Sequence, residues 1–288
     1  MTDKELFKKQ NDELFEFIIF NKFISEMKKE ENGTSVELFI TPECNQKCEY
    51  CYLIKNGDSL YPKEIRNHDN ILKNLKIILD FIYSNDLHLH NLDLFSGEIW
   101  HTKFGNQILT ILLEYAQKGI KIDSIIIPSN CSFILNDKAT IKMQIFFDEF
   151  AKTNTRLHIS ASIDGAVIEN STRSFNDEKL NKEKNEAFYK KFFTFVSKNN
   201  LGLHPMVSAA GIESWIENLN WWEQEVNKIH RPLSSIMTLE VRNDEWTNEK
   251  IQEYLKFLNY CCNKYIIEPG VSKYFDNYFL NPSSERHY

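Results

Sequence analysis

Strand-like runs rich in apolar and β-branched residues, each followed by a segment of helical period, constrain this chain more than any other feature. Strands are expected at Val36–Thr41, Asn91–Ser96, Ser124–Ser129, Arg156–Ile163, Leu203–Ala209 and Ile236–Val241. Helices are expected at Asp69–Ser84, Gly105–Lys118, Ile141–Lys152, Asn185–Asn199, Glu213–Lys228 and Asn248–Lys264. Runs such as Ile125-Ile126-Ile127 lack alternation, as expected for strands covered on both faces, and strand–helix alternation builds an α/β fold around a parallel sheet. Six such units fall short of the eight of a closed barrel, so the expected architecture is a partial (βα)6 parallel barrel over residues 35–245. Residues 1–34 read as an N-terminal helical extension, with Leu6, Leu14, Phe17, Ile18 and Ile24 at helical spacing and Asn32-Gly33 as its stop. Residues 246–288 read as a C-terminal helix and an aperiodic tail, either a frayed end or the start of a missing extension, and the polar stretch Asn170–Lys184 as a long loop.

Composition narrows the chemistry. Lys and Arg total 34 against 41 Asp and Glu, a net charge of −7, which argues against a nucleic-acid or membrane-surface partner. No run approaches the ~20 apolar residues of a bilayer span, and the polar N-terminus has no signal-peptide core, so a cytoplasmic protein is expected. Six cysteines in 288 residues are too few for a disulfide scaffold, and a reducing compartment favours metal binding or catalysis. Three of them, Cys44, Cys48 and Cys51, stand in C-x3-C-x2-C spacing just after the first strand. That is the end at which parallel α/β folds collect active-site groups. Thiolates so close suit zinc or an iron–sulfur centre. Zinc would need a fourth ligand, for which only His68 and Cys131, both distant in sequence, are candidates. Three thiolates on a four-iron cluster would instead leave one iron open.

With Tyr50 just before the last cysteine, this motif resembles the signature of the radical S-adenosylmethionine (SAM) enzymes. The resemblance implies a [4Fe-4S] cluster on Cys44, Cys48 and Cys51, with SAM bound to its open iron through amino and carboxylate groups. It implies reductive cleavage of SAM to a 5′-deoxyadenosyl radical that abstracts a substrate hydrogen, an oxidoreductase-type chemistry fed by a reductase such as flavodoxin or ferredoxin. The likeness runs over roughly residues 35–245. Ser96-Gly97-Glu98 is similar to the family's Gly-Gly-Glu motif that meets the SAM amino group, with Ser96 in place of the first glycine. Asn130 closes the third strand where a polar SAM contact is expected. Ser160, Ser162 and Asp164 alternate and share one face, which small polar groups line more readily for a ligand than for a dry core. Arg173 resembles an arginine that binds the SAM carboxylate. Tyr50, Ser96, Gly97, Glu98, Asn130, Ser160, Ser162, Asp164 and Arg173 are thus the expected cofactor contacts.

The later strands resemble the peptide-modifying branch that carries SPASM or twitch extensions, so a peptide or protein side chain is the expected substrate. Ser208, Glu240 and Arg242 are expected near the barrel mouth. A mobile 170–184 loop would favour a peptide, and a sealed apolar pocket a small molecule or nucleotide. The cysteines an auxiliary-cluster extension would need are missing: Cys261-Cys262 lies in a helix-like run and reads as core. The alternative outside enzymology is a zinc or iron–sulfur binding protein, closed by a fourth ligand such as Cys131. His88-x-His90 with His101 has metal-like spacing but no evident carboxylate partner, and reads as a solvated loop. Trp215, Trp221 and Trp222 read as helix packing, or as an exposed pair on a partner surface.

Overall fold

The structure is a computed structural model that describes residues 34–51, 53, 67–101, 104–233, 236, 239–240 and 246–266. The N-terminal helical reading over 3–30 and the tail lie outside those residues, and the expected 34/35 boundary stands at their edge. The described strands are β1 (Thr34–Phe39), β2 (Gln46–Cys48), β3 (Leu89–Phe95), β4 (Ile122–Ser129), β5 (Arg156–Ala161), β6 (Arg173–Phe175), β7 (Gly202–Leu203), β8 (Met206–Val207) and β9 (Leu239–Glu240). The helices are α1 (His68–Ser84), α2 (Phe104–Gln117), α3 (Asp137–Phe150), the single turn α4 (Glu169–Thr172), α5 (Glu178–Glu183), α6 (Glu186–Asn199), α7 (Trp215–Lys228) and α8 (Asn248–Cys261).

Five strands form one parallel sheet in the order β1-β3-β4-β5-β7, so each βα unit advances the sheet by one strand. On β4, Ile125, Ile127 and Ser129 are buried on one face, with Ser124 and Ile126 half-buried on the other, and Ile122 is buried at its start. The expected fifth strand is broken at His204-Pro205: β7 pairs with β5, whereas β8 pairs in parallel with β9 in a separate two-stranded sheet. Proline has no N–H to offer a ladder, which is why the run cannot continue as one strand. Of the sixth strand, Ile236 bridges Leu203 and Leu239–Glu240 form β9; Arg242 lies outside the described residues.

The chain divides into two compact units. The first comprises the described residues of Met1–Pro42, Tyr61–Ile127 and Ile141–His158; the second those of Glu43–Leu60, Pro128–Thr140 and Ile159–Tyr288. In the first, α1 and α2 pack against each other, and Leu75, Leu79, Ile108 and Leu112 are buried. In the second, Trp215 and Leu219 of α7 pack with Ile168, Ile212, Phe257 and Cys261.

The structure corrects several expectations. The 170–184 stretch is not a long loop: it holds the end of α4, then β6 and α5. Its charges are partly spent inside, since Lys184 and Glu169 form a buried ion pair. His88 and His90 stand at the start of β3 with a carboxylate between them, His88 Nε2 lying 2.9 Å and His90 Nδ1 3.2 Å from Asp123. Trp215 and Trp222 are buried, and Trp221 meets Tyr189 edge-on at 5.0 Å, so no exposed tryptophan pair exists there. Cys261 is core, and burial pushes its thiol up to about 12, but Cys262 is exposed at the start of a π-helical turn, Cys262–Ile266.

Candidate active site

The β1–β3 ladder continues past both strands: the Ile40 amide donates to the Phe95 carbonyl at 2.9 Å, and the Gly97 amide to the Thr41 carbonyl at 2.6 Å. Ser96-Gly97 is thereby fixed beside Thr41, three residues before Cys44. Glu98 is 1% exposed and its Oε1 accepts the Trp100 amide at 3.2 Å, at the start of a 3-10 turn. Ser96 Oγ is buried without a hydrogen-bond partner. A buried hydroxyl left unsatisfied at a strand end is the kind of group a ligand completes.

Within the second unit the cysteine loop is tied down almost residue by residue. The Asn176 side chain donates to the Cys44 carbonyl at 3.2 Å, and the Asn176 amide to the Asn45 carbonyl at 2.9 Å. Strand β2 pairs antiparallel with β6, with Gln46 opposite Phe175 and Cys48 opposite Arg173. The Glu49 amide then donates to the Thr172 carbonyl at 3.0 Å. From another direction, Asn130 Nδ2 donates to Asn45 Oδ1 at 2.7 Å, Asn45 Nδ2 to Ser132 Oγ at 3.0 Å, and the Ser132 amide to Asn130 Oδ1 at 2.9 Å. Cys131 takes the left-handed conformation (φ 56°) that lets its two neighbours face the same loop. Asn130 is thus engaged as a loop clamp.

Tyr50 supplies the deepest anchor. Its hydroxyl donates to Asp164 at 2.8 Å and accepts from Arg173 Nη1 at 2.7 Å. Asp164 is fully buried and also accepts Thr172 Oγ1 at 2.6 Å and the Met206 amide at 2.9 Å. Its backbone is held as firmly: Asn218 Nδ2 and Trp222 Nε1 donate to its carbonyl at 2.7 and 2.9 Å, and Glu169 Oε2 accepts its amide at 2.6 Å. Gly165 follows with φ 118°, where a side chain would strike Asn218 and Trp222. Burial, foremost, drives the Tyr50 hydroxyl well above its ordinary range, so it stays protonated and able to donate. Burial raises the Cys48 thiol, and the Arg173 cation pulls it back down. Ser160 and Ser162 are half-buried, and Leu157, Ile159, Ala161 and Ile163 are buried; β5 ends at Ala161, and Asp164 beyond it is held in this network.

All three thiols are outside any disulfide and partly exposed, and Cys48 has a guanidinium beside it to balance thiolate charge. Among the described residues no three His, Cys, Asp or Glu side chains converge where a single metal ion could take them all. A zinc ion requires that convergence, whereas in a four-iron cluster each thiolate meets a different iron. Of the two residues weighed as a fourth ligand, Cys131 is buried with its sulfur 3.8 Å from the Ser129 carbonyl, and His68 stacks on Phe104 at 4.2 Å. Three thiols outside any disulfide on one braced loop are a donor set suited to an iron–sulfur centre. Arg173 Nε, buried and without a partner, fits an additional anionic acceptor. The side chains of His101 and Glu240 lie outside the described residues. Ser208 is fully buried, with its hydroxyl unpartnered. The β2–β6 ribbon, the Asn45–Asn130–Ser132 clamp and the Glu169–Lys184 pair are absent from the sequence reading. Their only sequence signal is a dense run of Asn, Asp and Thr, residues that bond backbone outside regular structure.

The solved structure of native anSMEcpe with bound AdoMet has a similar fold, with a TM-score of 0.54 and 17% sequence identity. The match covers 84% of this chain and 65% of that one, so this chain spans less than two thirds of that protein's length. The likeness is one of fold. No protein-family model and no curated protein matches the sequence. Among the described residues no helix is long and apolar enough to cross a membrane.

Proposed function

We propose that the chain is a radical SAM enzyme built on a partial (βα)6 barrel, with Cys44, Cys48 and Cys51 holding a [4Fe-4S] cluster. The carrying observation is the cysteine loop, whose three thiols in C-x3-C-x2-C spacing are held by the β2–β6 ribbon, the Asn130 clamp and the Tyr50 anchor. The shared fold of an AdoMet-bound protein supports the same reading. When bound, the cluster and SAM supply a 5′-deoxyadenosyl radical, and this chain's residues position and shield them. Glu98, buried beside Ser96 and Gly97, offers a carboxylate to the SAM ammonium, and Arg173 offers a guanidinium to its carboxylate. Rigid pinning of the loop keeps the ligands in one geometry before any cofactor arrives, which lowers the ordering cost of binding.

The substrate we propose is a peptide or protein side chain, on the resemblance of residues 157–245 to the peptide-modifying branch. The ordered 170–184 segment withdraws one argument for a peptide, because it braces the cysteine loop instead of gating a mouth. A flavodoxin or ferredoxin is the proposed electron donor, and a reducing cytoplasm the proposed setting for exposed thiols. The deciding experiment is anaerobic: reconstitute the chain with iron and sulfide, reduce with dithionite, add SAM and measure 5′-deoxyadenosine by mass spectrometry. Formation that vanishes in a Cys44→Ala/Cys48→Ala/Cys51→Ala variant is the expected result. A four-iron cluster that neither binds nor cleaves SAM would reduce the protein to a redox or structural iron–sulfur protein.

A further inference from the structure

We propose that Tyr50, Asp164 and Arg173 act as one unit that sets the reduction potential of the cluster, with Tyr50 and Asp164 as positioning residues for the Arg173 cation. The proposal rests on the cluster reading above and goes beyond it, because it assigns these residues a role in the absence of SAM. The geometry is specific. Arg173 is the cross-strand partner of the ligand Cys48 in the β2–β6 ribbon, and its guanidinium lies 5.8 Å over the Tyr50 ring. Tyr50 sits between the proposed ligands Cys48 and Cys51 and bonds to both charged partners: its hydroxyl accepts from Arg173 Nη1 at 2.7 Å and donates to Asp164 at 2.8 Å. Arg173 Nη1 and the Asp164 carboxylate stay 3.9 Å apart, so the tyrosine stands where a direct ion pair would otherwise close.

Asp164 receives donors only: the Tyr50 hydroxyl, the Thr172 hydroxyl and the Met206 amide, with the arginine beyond. That is the environment of a carboxylate, the acceptor-only form. The result is a buried cation, on the residue paired across the ribbon with Cys48, kept 3.9 Å from its counter-ion. Reduction adds one negative charge to an iron–sulfur cluster, so a nearby cation favours the reduced form and a nearby anion opposes it. Little water is present to screen either, since Arg173 is 9% exposed and Asp164 0%. Hydrogen bonds and charge around the sulfurs are recognised levers on such potentials.

The test is an EPR-monitored redox titration, with dithionite, of the reconstituted full chain without SAM. Iron content and circular dichroism are matched across variants. Arg173→Gln is expected to lower the midpoint, reducing the ratio of reduced to oxidised cluster at fixed potential by about tenfold, which is ~59 mV for a one-electron couple. Asp164→Asn is expected to shift it upward by a similar factor. Tyr50→Phe keeps both charges but lets arginine and aspartate close on each other, so it is expected to follow Arg173→Gln downward; it also answers should a charge variant fail to take up iron. Shifts of opposite sign are not something a merely structural role produces. If all variants titrate with wild type while Arg173→Gln weakens SAM binding alone, Arg173 is a SAM ligand only and the proposal is overturned. If wild type takes up no cluster, the reading beneath the proposal has failed.

Discussion

Asp93 stands mid-way along β3, and Glu37 of β1 is its partner in the parallel register. Burial, and then the charge of Glu37, push its carboxyl up to about 6, and Asp93 Oδ1 is buried without a hydrogen-bond partner. A raised carboxyl binds its proton more tightly folded than unfolded. It therefore costs no stability below about pH 4, costs progressively more as pH rises to about 6, and stays costly above that. Asp93→Asn is expected to raise stability by about 1 kcal/mol at pH 7.5, a figure discounted for partial exposure, and to change little at pH 4. Urea unfolding at the two pH values checks this, and an equal effect at both would remove the electrostatic explanation. A lone Asp in a strand carries no such information in sequence; its burial on β3, and then the register that sets Glu37 opposite it, create the strain.

Between α4 and α5, a short piece of polypeptide does structural work that its composition conceals. Lys184, at the end of α5, reaches Glu169 of α4 in an ion pair exposed by no more than 2% on either side chain. Glu169 Oε2 also receives the Asp164 and Gly165 amides, which closes the turn carrying the Tyr50 anchor. Truncating the cation would leave a carboxylate buried and uncompensated. Lys184→Met is thus expected to cost about 3–5 kcal/mol in chemical denaturation. The exposed Lys191–Asp137 pair, at 2.7 Å, is expected to cost less than about 1 kcal/mol in Lys191→Met. Similar losses in the two variants would mean the buried pair adds nothing. In sequence Lys184 ends a polar stretch and Lys191 lies in the helix that follows, and nothing in either position marks one as buried. Burial separates them, and burial is a property of what α4 and β6 pack against.

On the scale of the whole molecule, the cysteine loop is where segments far apart in the chain meet. Asn45 is bonded to Asn130 and Ser132, Glu49 to Thr172, and Tyr50 to Asp164 and Arg173. A ligand that binds the folded loop stabilises everything tied to it. Reconstitution of the cluster is therefore expected to slow amide hydrogen exchange together in 44–51, 130–132, 164–165 and 172–176, with exchange in α3 unchanged. Protection confined to 44–51 would show that the clamps do not transmit the binding energy. The sequence by itself determined the alternation of strands and helices, the cysteine loop after the first strand, and the polar alternation of Ser160 and Ser162. Those features are local: β-branched runs, helical period and residue spacing fix them without reference to distant chain. Only the tertiary structure decided that Pro205 would split a strand between two sheets, that the 170–184 stretch would brace the cysteines, and that Asp164, beyond the end of β5, would hold Tyr50. Each of those depends on which buried groups find partners, and a hydrogen bond between residues more than a hundred positions apart leaves no period or spacing for the sequence to display.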